Sequence, residues 1–254
     1  MNKPSNHITW LEDDTPLPHA ESAQPKGTEL AGLVAAGGGL SPQRLCEAYS
    51  QGMFPWFSEG QPVLWWSPDP RMVLKPEDFR LHRSLRKTIQ KFMGSPDAEL
   101  KIDSDFAKVI THCAQASRTG QAGTWIVRDM IDAYVALHEA GFAHSVETWV
   151  NGQLTGGLYC IAIGRAVFGE SMFALQTDAS KIALAGLVAL GKANHVPWID
   201  CQQNTRHLAS LGAKEIDRST FLTGITTAQH LPSINWQFEP IHWQELLATA
   251  THEP

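Results

Sequence analysis

The chain has 254 residues, of which 43% are hydrophobic and 18% charged, and its formal net charge at pH 7 is −6. That is enough for one large domain, or a domain with a small companion, and the acidic balance argues against a protein that coats nucleic acid, although it leaves room for a local basic patch. No stretch approaches the roughly 20 uninterrupted apolar residues of a membrane span, and the run from Met1 to Asn6 lacks the apolar core of a secretion signal, so a cytoplasmic chain with no membrane partner is expected.

The leading segment, to about residue 26, is polar and carries Pro4, Pro16, Pro18 and Pro25. Such a composition buries little apolar surface, so order is expected to begin near Leu30. Ser41-Pro42 reads as a helix start, a capping residue followed by proline at the first helical position, and Gly52 as its stop. The stretch GMFPWFSEGQPVLWWSPDPRMVL, dense in Pro and Trp, reads as an irregular connector. A boundary near Pro70 then separates a small N-terminal domain over 1–70, with a flexible leading segment, from a larger domain over 71–254.

Over 79–92, Leu81, Leu85, Ile89 and Phe92 recur at helical spacing. Arg80, Arg83, Arg86, Lys87 and Lys91 fall on the other side, with no acidic residue among them. That face is either a solvated surface or a phosphate-contacting one. A second helix is expected after Thr124 as its cap, with Ile126, Met130, Tyr134 and Leu137 inward and Gly141 at its end.

Next, SVETWV, an Asn151-Gly152 turn, LYCIAI and, after Gly164, AVFGESMF read as consecutive antiparallel strands. Thr177 or Asp178 starts an apolar helix through Ile182, Leu184, Leu187 and Leu190. VPWIDC is a further short strand, a helix runs over about 204–211 to Gly212, and KEI ends the pattern. Hairpin strands followed by helix, strand, helix and strand predict a mixed α+β sheet with a helix crossing between two strands. Cys46, Cys113, Cys160 and Cys201 stand apart without a Cys-x-x-Cys, which predicts reduced thiols rather than a zinc site or a disulfide framework.

The motifs YSQGMFPWF, LWWSPDPR, GTWI, HSVE, GGLY, FGESMF, ASK, IDCQ and HLASLGA follow one another in order between about 38 and 221. In this the chain resembles the bacterial leucyl/phenylalanyl-tRNA–protein transferases. It departs from their pattern at Gly39, where an aspartate is usual, and at Cys160, where a glycine is usual. The resemblance implies a small N-terminal domain joined to a GNAT-like, acetyltransferase-type domain of mixed sheet. It also implies an aminoacyltransferase that moves leucine or phenylalanine, and methionine as well, from aminoacyl-tRNA to the N-terminal arginine or lysine of proteins, marking them for degradation by the N-degron pathway. A monomer is expected. By the same resemblance Leu158, Gly169, Glu170, Met172 and Ile199 line the pocket for the leucine or phenylalanine side chain, while Trp56 and Trp125 hold the terminal adenine of the tRNA. Arg83, Arg86 and Lys87 are then expected to meet phosphates of the acceptor stem.

The residue types suit that chemistry. An aminoacyl ester is already activated, so peptide-bond formation needs no metal and no cofactor, only an amine held against the carbonyl. With a pKa of roughly 7.7–8.0 the α-amine is partly neutral at cellular pH, and a carboxylate able to draw off its proton suffices. Asp200, at a strand end, fits that role either as a base or as an anchor. Gln202, two residues on, is expected on the same strand face, where its amide would orient the amine or the ester. An isolated aspartate there would more commonly cap a loop. Glu170 is costly to bury unpaired in an apolar strand, so it is either hydrogen-bonded scaffolding or part of the site. Met172 suits a pocket that serves two shapes.

Other classes fit less well. An acyl-CoA-dependent acetyltransferase shares the fold, but TDASKIAL offers no glycine-rich pyrophosphate loop. His138, His144, His195 and His207 lack metalloprotease spacing. A non-enzymatic tRNA-binding protein is the remaining alternative.

Overall fold

A computed structural model describes residues 8–116 and 126–249. It begins with β1 (Thr9–Leu11), which pairs in parallel with β2 (Leu33–Gly37). Order therefore starts well before Leu30, a correction to the reading of a polar leader. Leu11, Leu17, Ala20 and Ala23 are buried along this segment, and Arg44 Nη2 donates to the carbonyls of Asp13 and Thr15 at 2.7 Å each. A few well-placed apolar side chains and one buried cation hold a stretch that composition alone describes as loose.

The first helix, α1 (Pro42–Ser50), starts as expected, with the Ser41 hydroxyl accepting the Arg44 N–H, and Gly52 follows it with φ 75°. The Pro- and Trp-rich stretch is more regular than its composition suggests. It supplies β3 (Phe54–Pro55) and β4 (Leu64–Trp66), which complete a four-stranded sheet in the order β1-β2-β4-β3, and then β5 (Arg71–Leu74), which enters a different sheet. Strands of two to four residues are too short to display an alternating pattern.

The basic helix, α2 (Arg83–Met93), begins after Leu81 and buries Leu85, Ile89 and Phe92. Two elements that the sequence pattern did not reveal come next: β6 (Ala98–Ile102) and α3 (Phe106–Gln115), the latter capped by Asp105. In α4 (Arg128–Glu139), Met130, Tyr134 and Leu137 point inward as expected; its proposed cap, Thr124, lies outside the described residues.

The hairpin strands follow as β7 (Ala143–Val150), β8 (Gln153–Ile163) and β9 (Ala166–Ala174), all antiparallel. Asn151 and Gly152 form the tight turn with φ 52° and 70°. The crossing helix α5 (Ala179–Ala193) leads to β10 (Ile199–Asp200), which lies parallel to β9. The chain closes with α6 (Arg206–Ser210), β11 (Lys214–Ile216), α7 (Arg218–Ala228) and α8 (Pro240–Thr249).

The larger sheet has seven strands in the order β11-β5-β10-β9-β8-β7-β6, antiparallel throughout except for β10 beside β9. This is an α+β fold, a mixed sheet with a helix crossing between its one parallel pair. Alternation along β8 divides the core: Leu158, Cys160 and Ala162 pack with the residues of α2, α5 and α8, whereas Tyr159 and Ile161 pack with those of α3 and α4. The second cluster continues without a break into the small sheet through Tyr49, Phe54 and Trp65.

Candidate active site

β10 pairs with β9 only at Ile199 to Val167 and Asp200 to Phe168, while β9 runs on to Ala174. From Gly169 onward that edge of β9 has lost its neighbour, and a cleft of about 500 Å³ opens there. Its walls include Gly169, Glu170 and Met172 of β9, Leu158 of β8, Leu184 and Leu187 of α5, and Ile199, Cys201 and Gln202. Phe54 and Trp56 of the small sheet close one side. An apolar cavity of this size with a few convergent polar groups is the usual form of a small-ligand site.

Asp200 does not reach that surface. It is fully buried, and its carboxylate takes Arg71 Nε at 2.8 Å on Oδ1 and Arg71 Nη2 at 2.6 Å on Oδ2. Oδ1 also accepts the backbone N–H of Gln202 at 2.9 Å. The expectation that Asp200 and Gln202 share a strand face is therefore corrected. The strand ends at Asp200, and the bond from its side chain to the N–H two residues on forms a turn of the Asx kind, with Gln202 in the left-handed region at φ 54°. Turning the chain in this way sends Asp200 inward and Gln202 into the cleft.

Gln202 Nε2 donates to Glu170 Oε1 at 3.0 Å. Behind Glu170 lie the hydroxyls of Tyr49 and Tyr134, hydrogen-bonded to each other and to the carboxyl group. Burial pushes the Glu170 carboxyl up to about 8; Tyr49 opposes the rise, the Asp200 charge adds to it, and Arg71 and Tyr134 oppose it further. Near neutral pH this is an acid that holds its proton. The Cys201 thiol, raised by burial and then by Asp200, stays protonated and is a poor nucleophile.

Residues 73–226 match the family model for leucyl/phenylalanyl-tRNA protein transferase, and residues 38–69 match that for the N-terminal domain of the same family. A leucyl/phenylalanyl-tRNA–protein transferase from Polaromonas sp. (strain JS666 / ATCC BAA-500) is 56% identical over 247 residues, 97% of each chain. One from Albidiferax ferrireducens (strain ATCC BAA-621 / DSM 15236 / T118) is 54% identical over 240 residues, 94% of each. The chain belongs to this family. It is accordingly an aminoacyltransferase.

Within the transferase, the residues expected to line the amino-acid pocket, Leu158, Gly169, Glu170, Met172 and Ile199, border one cleft, together with Trp56, expected at the adenine, and Gln202, expected at the amine or ester. Trp56 is half-buried, its ring centroid 5.8 Å from that of Trp66, and its carbonyl accepts the Trp66 indole N–H at 2.7 Å. Trp125 lies outside the described residues. On α2, Arg83 and Lys87 are exposed, while Arg86 is half-buried with Nη2 lacking a partner among the described residues. His144 is tied to Asp103 at 2.7 Å and His138 to the Ala143 carbonyl at 2.7 Å, and the described residues include no cluster of three or more metal-ligating side chains. No described helix is long and apolar enough to cross a membrane.

Three residues around the cleft escaped the sequence reading: Arg71, Tyr49 and Tyr134. Arg71 and Tyr49 stand in motifs already quoted, WWSPDPR and YSQGMF, and Tyr134 reads as an ordinary inward helix position. An arginine between two prolines' worth of turn and a run of apolar residues was the available signal; its partner, 129 positions away, was not visible.

Proposed function

We propose that this transferase moves leucine or phenylalanine, and methionine as well, from aminoacyl-tRNA to the N-terminal arginine or lysine of proteins, which marks them for degradation by the N-degron pathway. It does so in the cytoplasm, as a monomer and without a cofactor. The observation that carries the reading is the cleft, with its apolar wall of Leu158, Met172, Leu184, Leu187 and Ile199 beside one polar pair, Glu170 and Gln202.

In the reaction the amine nitrogen bonds to the ester carbonyl carbon, the bond to the ribose oxygen breaks, and the proton lost by the amine ends on that oxygen. A carboxyl group near 8 is matched to an α-amine of roughly 7.7–8.0, so a proton passes between them with little uphill work. Glu170 and Gln202 meet the amine, and Asp200 acts from behind them by holding Gln202. Trp56 and Trp125 take the terminal adenine, a contact worth roughly 1–3 kcal/mol per stacked base. The part given to Trp125 rests on the GTWI motif. Arg83, Arg86 and Lys87 take acceptor-stem phosphates.

The test is incubation with Leu-, Phe-, Met- or Ile-tRNA and peptides beginning with Arg, Lys or Ala, followed by mass measurement of the peptide. Transfer from the first three donors to the Arg and Lys peptides is expected. Ile-tRNA should fail, because its branched Cβ is stiff beside the reacting ester and a methylene-scale misfit costs about 1–3 kcal/mol. Equal transfer to the Ala peptide, or from Ile-tRNA, would overturn the specificity.

A further inference from the structure

We infer that Arg71 is a positioning residue for the transfer: through Asp200 its guanidinium fixes the turn that aims Gln202 into the cleft, and through Gly52 and Phe54 it ties that turn to the opposite wall. The inference rests on the cleft beside Glu170 and Gln202 being the place of transfer.

Arg71 is fully buried at the start of β5. Its Nε and Nη2 bind both oxygens of Asp200 in a fork, a geometry that lysine cannot reproduce. Nη1 donates to the carbonyl of Gly52 at 3.1 Å. The guanidinium also lies over two rings, with Cζ 4.8 Å from the centroid of Phe54 and 4.5 Å from that of Phe221. Each of these attachments, the Phe221 contact apart, leads to the cleft within a residue or two. Phe54 lines it, Gly52 is two positions before Phe54, and Asp200 governs Gln202 through the turn bond.

Gln202 has a backbone conformation that residues other than glycine rarely adopt, and such a conformation persists only where its surroundings impose it. The surroundings here are the Asp200 carboxylate, which accepts the Gln202 N–H, and Arg71, which holds that carboxylate still. With both oxygens engaged by Arg71 and no surface exposed, Asp200 has no way to meet a substrate amine unless the ion pair opens. Its charge serves to keep Arg71 compensated, and its geometry serves Gln202.

The measurement is kcat and KM for aminoacyl-tRNA and for an Arg-initiated peptide. The proteins are the parent, Arg71→Met, Arg71→Lys, Asp200→Asn, the Arg71→Met/Asp200→Asn combination and Gln202→Ala, each confirmed folded at the assay temperature by circular dichroism. Either single change leaves a buried charge alone and loosens the turn, so kcat should fall by roughly 10–100-fold, the scale of a small misplacement, while KM for aminoacyl-tRNA stays within about threefold. Arg71→Lys keeps the charge but loses the fork and should also be slow. In the combination no charge is unpaired, but the fork that holds the turn is still missing, so kcat should stay within about threefold of the slower single variant. A combination that returns to the parent rate would show that the single variants suffer only from an unpaired buried charge and that the turn needs no guanidinium, and the inference would fall. Parent-like kcat in Arg71→Lys with a slow Gln202→Ala would reduce Arg71 to a stabilising role and overturn the inference alone. If Gln202→Ala itself transfers at the parent rate, the reading of the cleft fails first. Should Arg71→Met not fold, the comparison of Asp200→Asn with the combination, together with Arg71→Lys, decides the matter.

Discussion

Glu170 binds its proton more tightly in the folded protein than in the unfolded chain, because burial pushes its carboxyl from an ordinary 4.5 up to about 8. The stability it contributes is complete below about pH 4.5, declines as pH rises because the unfolded chain ionises first, and is gone once pH passes about 8. At 1.36 kcal/mol per unit the decline is at most roughly 5 kcal/mol, and on the order of 1–3 kcal/mol once water at the mouth of the cleft is allowed for. Glu170→Gln keeps an oxygen for the Gln202 amide and has nothing to titrate. Urea unfolding at pH 5 and pH 9 should therefore show the parent losing that much more stability than the variant; equal losses would show that Glu170 ionises normally. The neighbouring Asp200 illustrates a different lesson. Its importance was legible from its place at the end of an apolar strand, but its direction was not, because strand parity assumes that the strand continues. One side-chain bond to the Gln202 N–H ended it.

Among the elements, α2 offers the cleanest separation of packing from recognition. Leu85, Ile89 and Phe92 hold it to the core, while Arg83 and Lys87 point to solvent four positions apart. Arg86 is half-buried, so a carboxylate there would be costly, and glutamine is the better replacement. The variant Arg83→Glu, Arg86→Gln, Lys87→Glu should fold normally and bind tRNA more weakly. The slope of log affinity against log salt should fall by about 2–3, because fewer counterions are released. Unchanged affinity at low salt would remove this helix from the tRNA interface. Helices and hairpins of this length announce themselves: Ser41-Pro42 marked α1, the 3.6-residue spacing marked α2, and Asn151-Gly152 marked the turn from β7 to β8. The strands β1, β3 and β4 of the small sheet did not, since two or three residues carry no period. β6 reads AELKI, with charges alternating on a half-buried edge, and resembles surface loop until its partner β7 is known.

At the scale of the whole molecule, β5 is the piece on which the two sheets depend. It follows directly on the small sheet in the chain, yet it lies between β10 and β11, both formed from residues near the other end of the sequence. The apolar cluster behind it likewise joins Tyr49, Phe54 and Trp65 to Phe168 and Phe221. Translation delivers these parts in the least convenient order. β5 emerges from the ribosome early with both edges bare and a cationic side chain that has no counterion until Asp200 is made, 129 residues later. Contacts so far apart in sequence close slowly, because a long loop must be ordered before any of them forms. A chain halted after residue 193 should therefore be cut by protease throughout its N-terminal third, and one extended through α7 should become resistant there in a single step, as read by pulse proteolysis of stalled nascent chains. Protection of residues 33–74 in the shorter chain would show that the small sheet closes alone. The N-terminal region of this protein is the first to be synthesised and, by the placement of one four-residue strand, among the last to be finished.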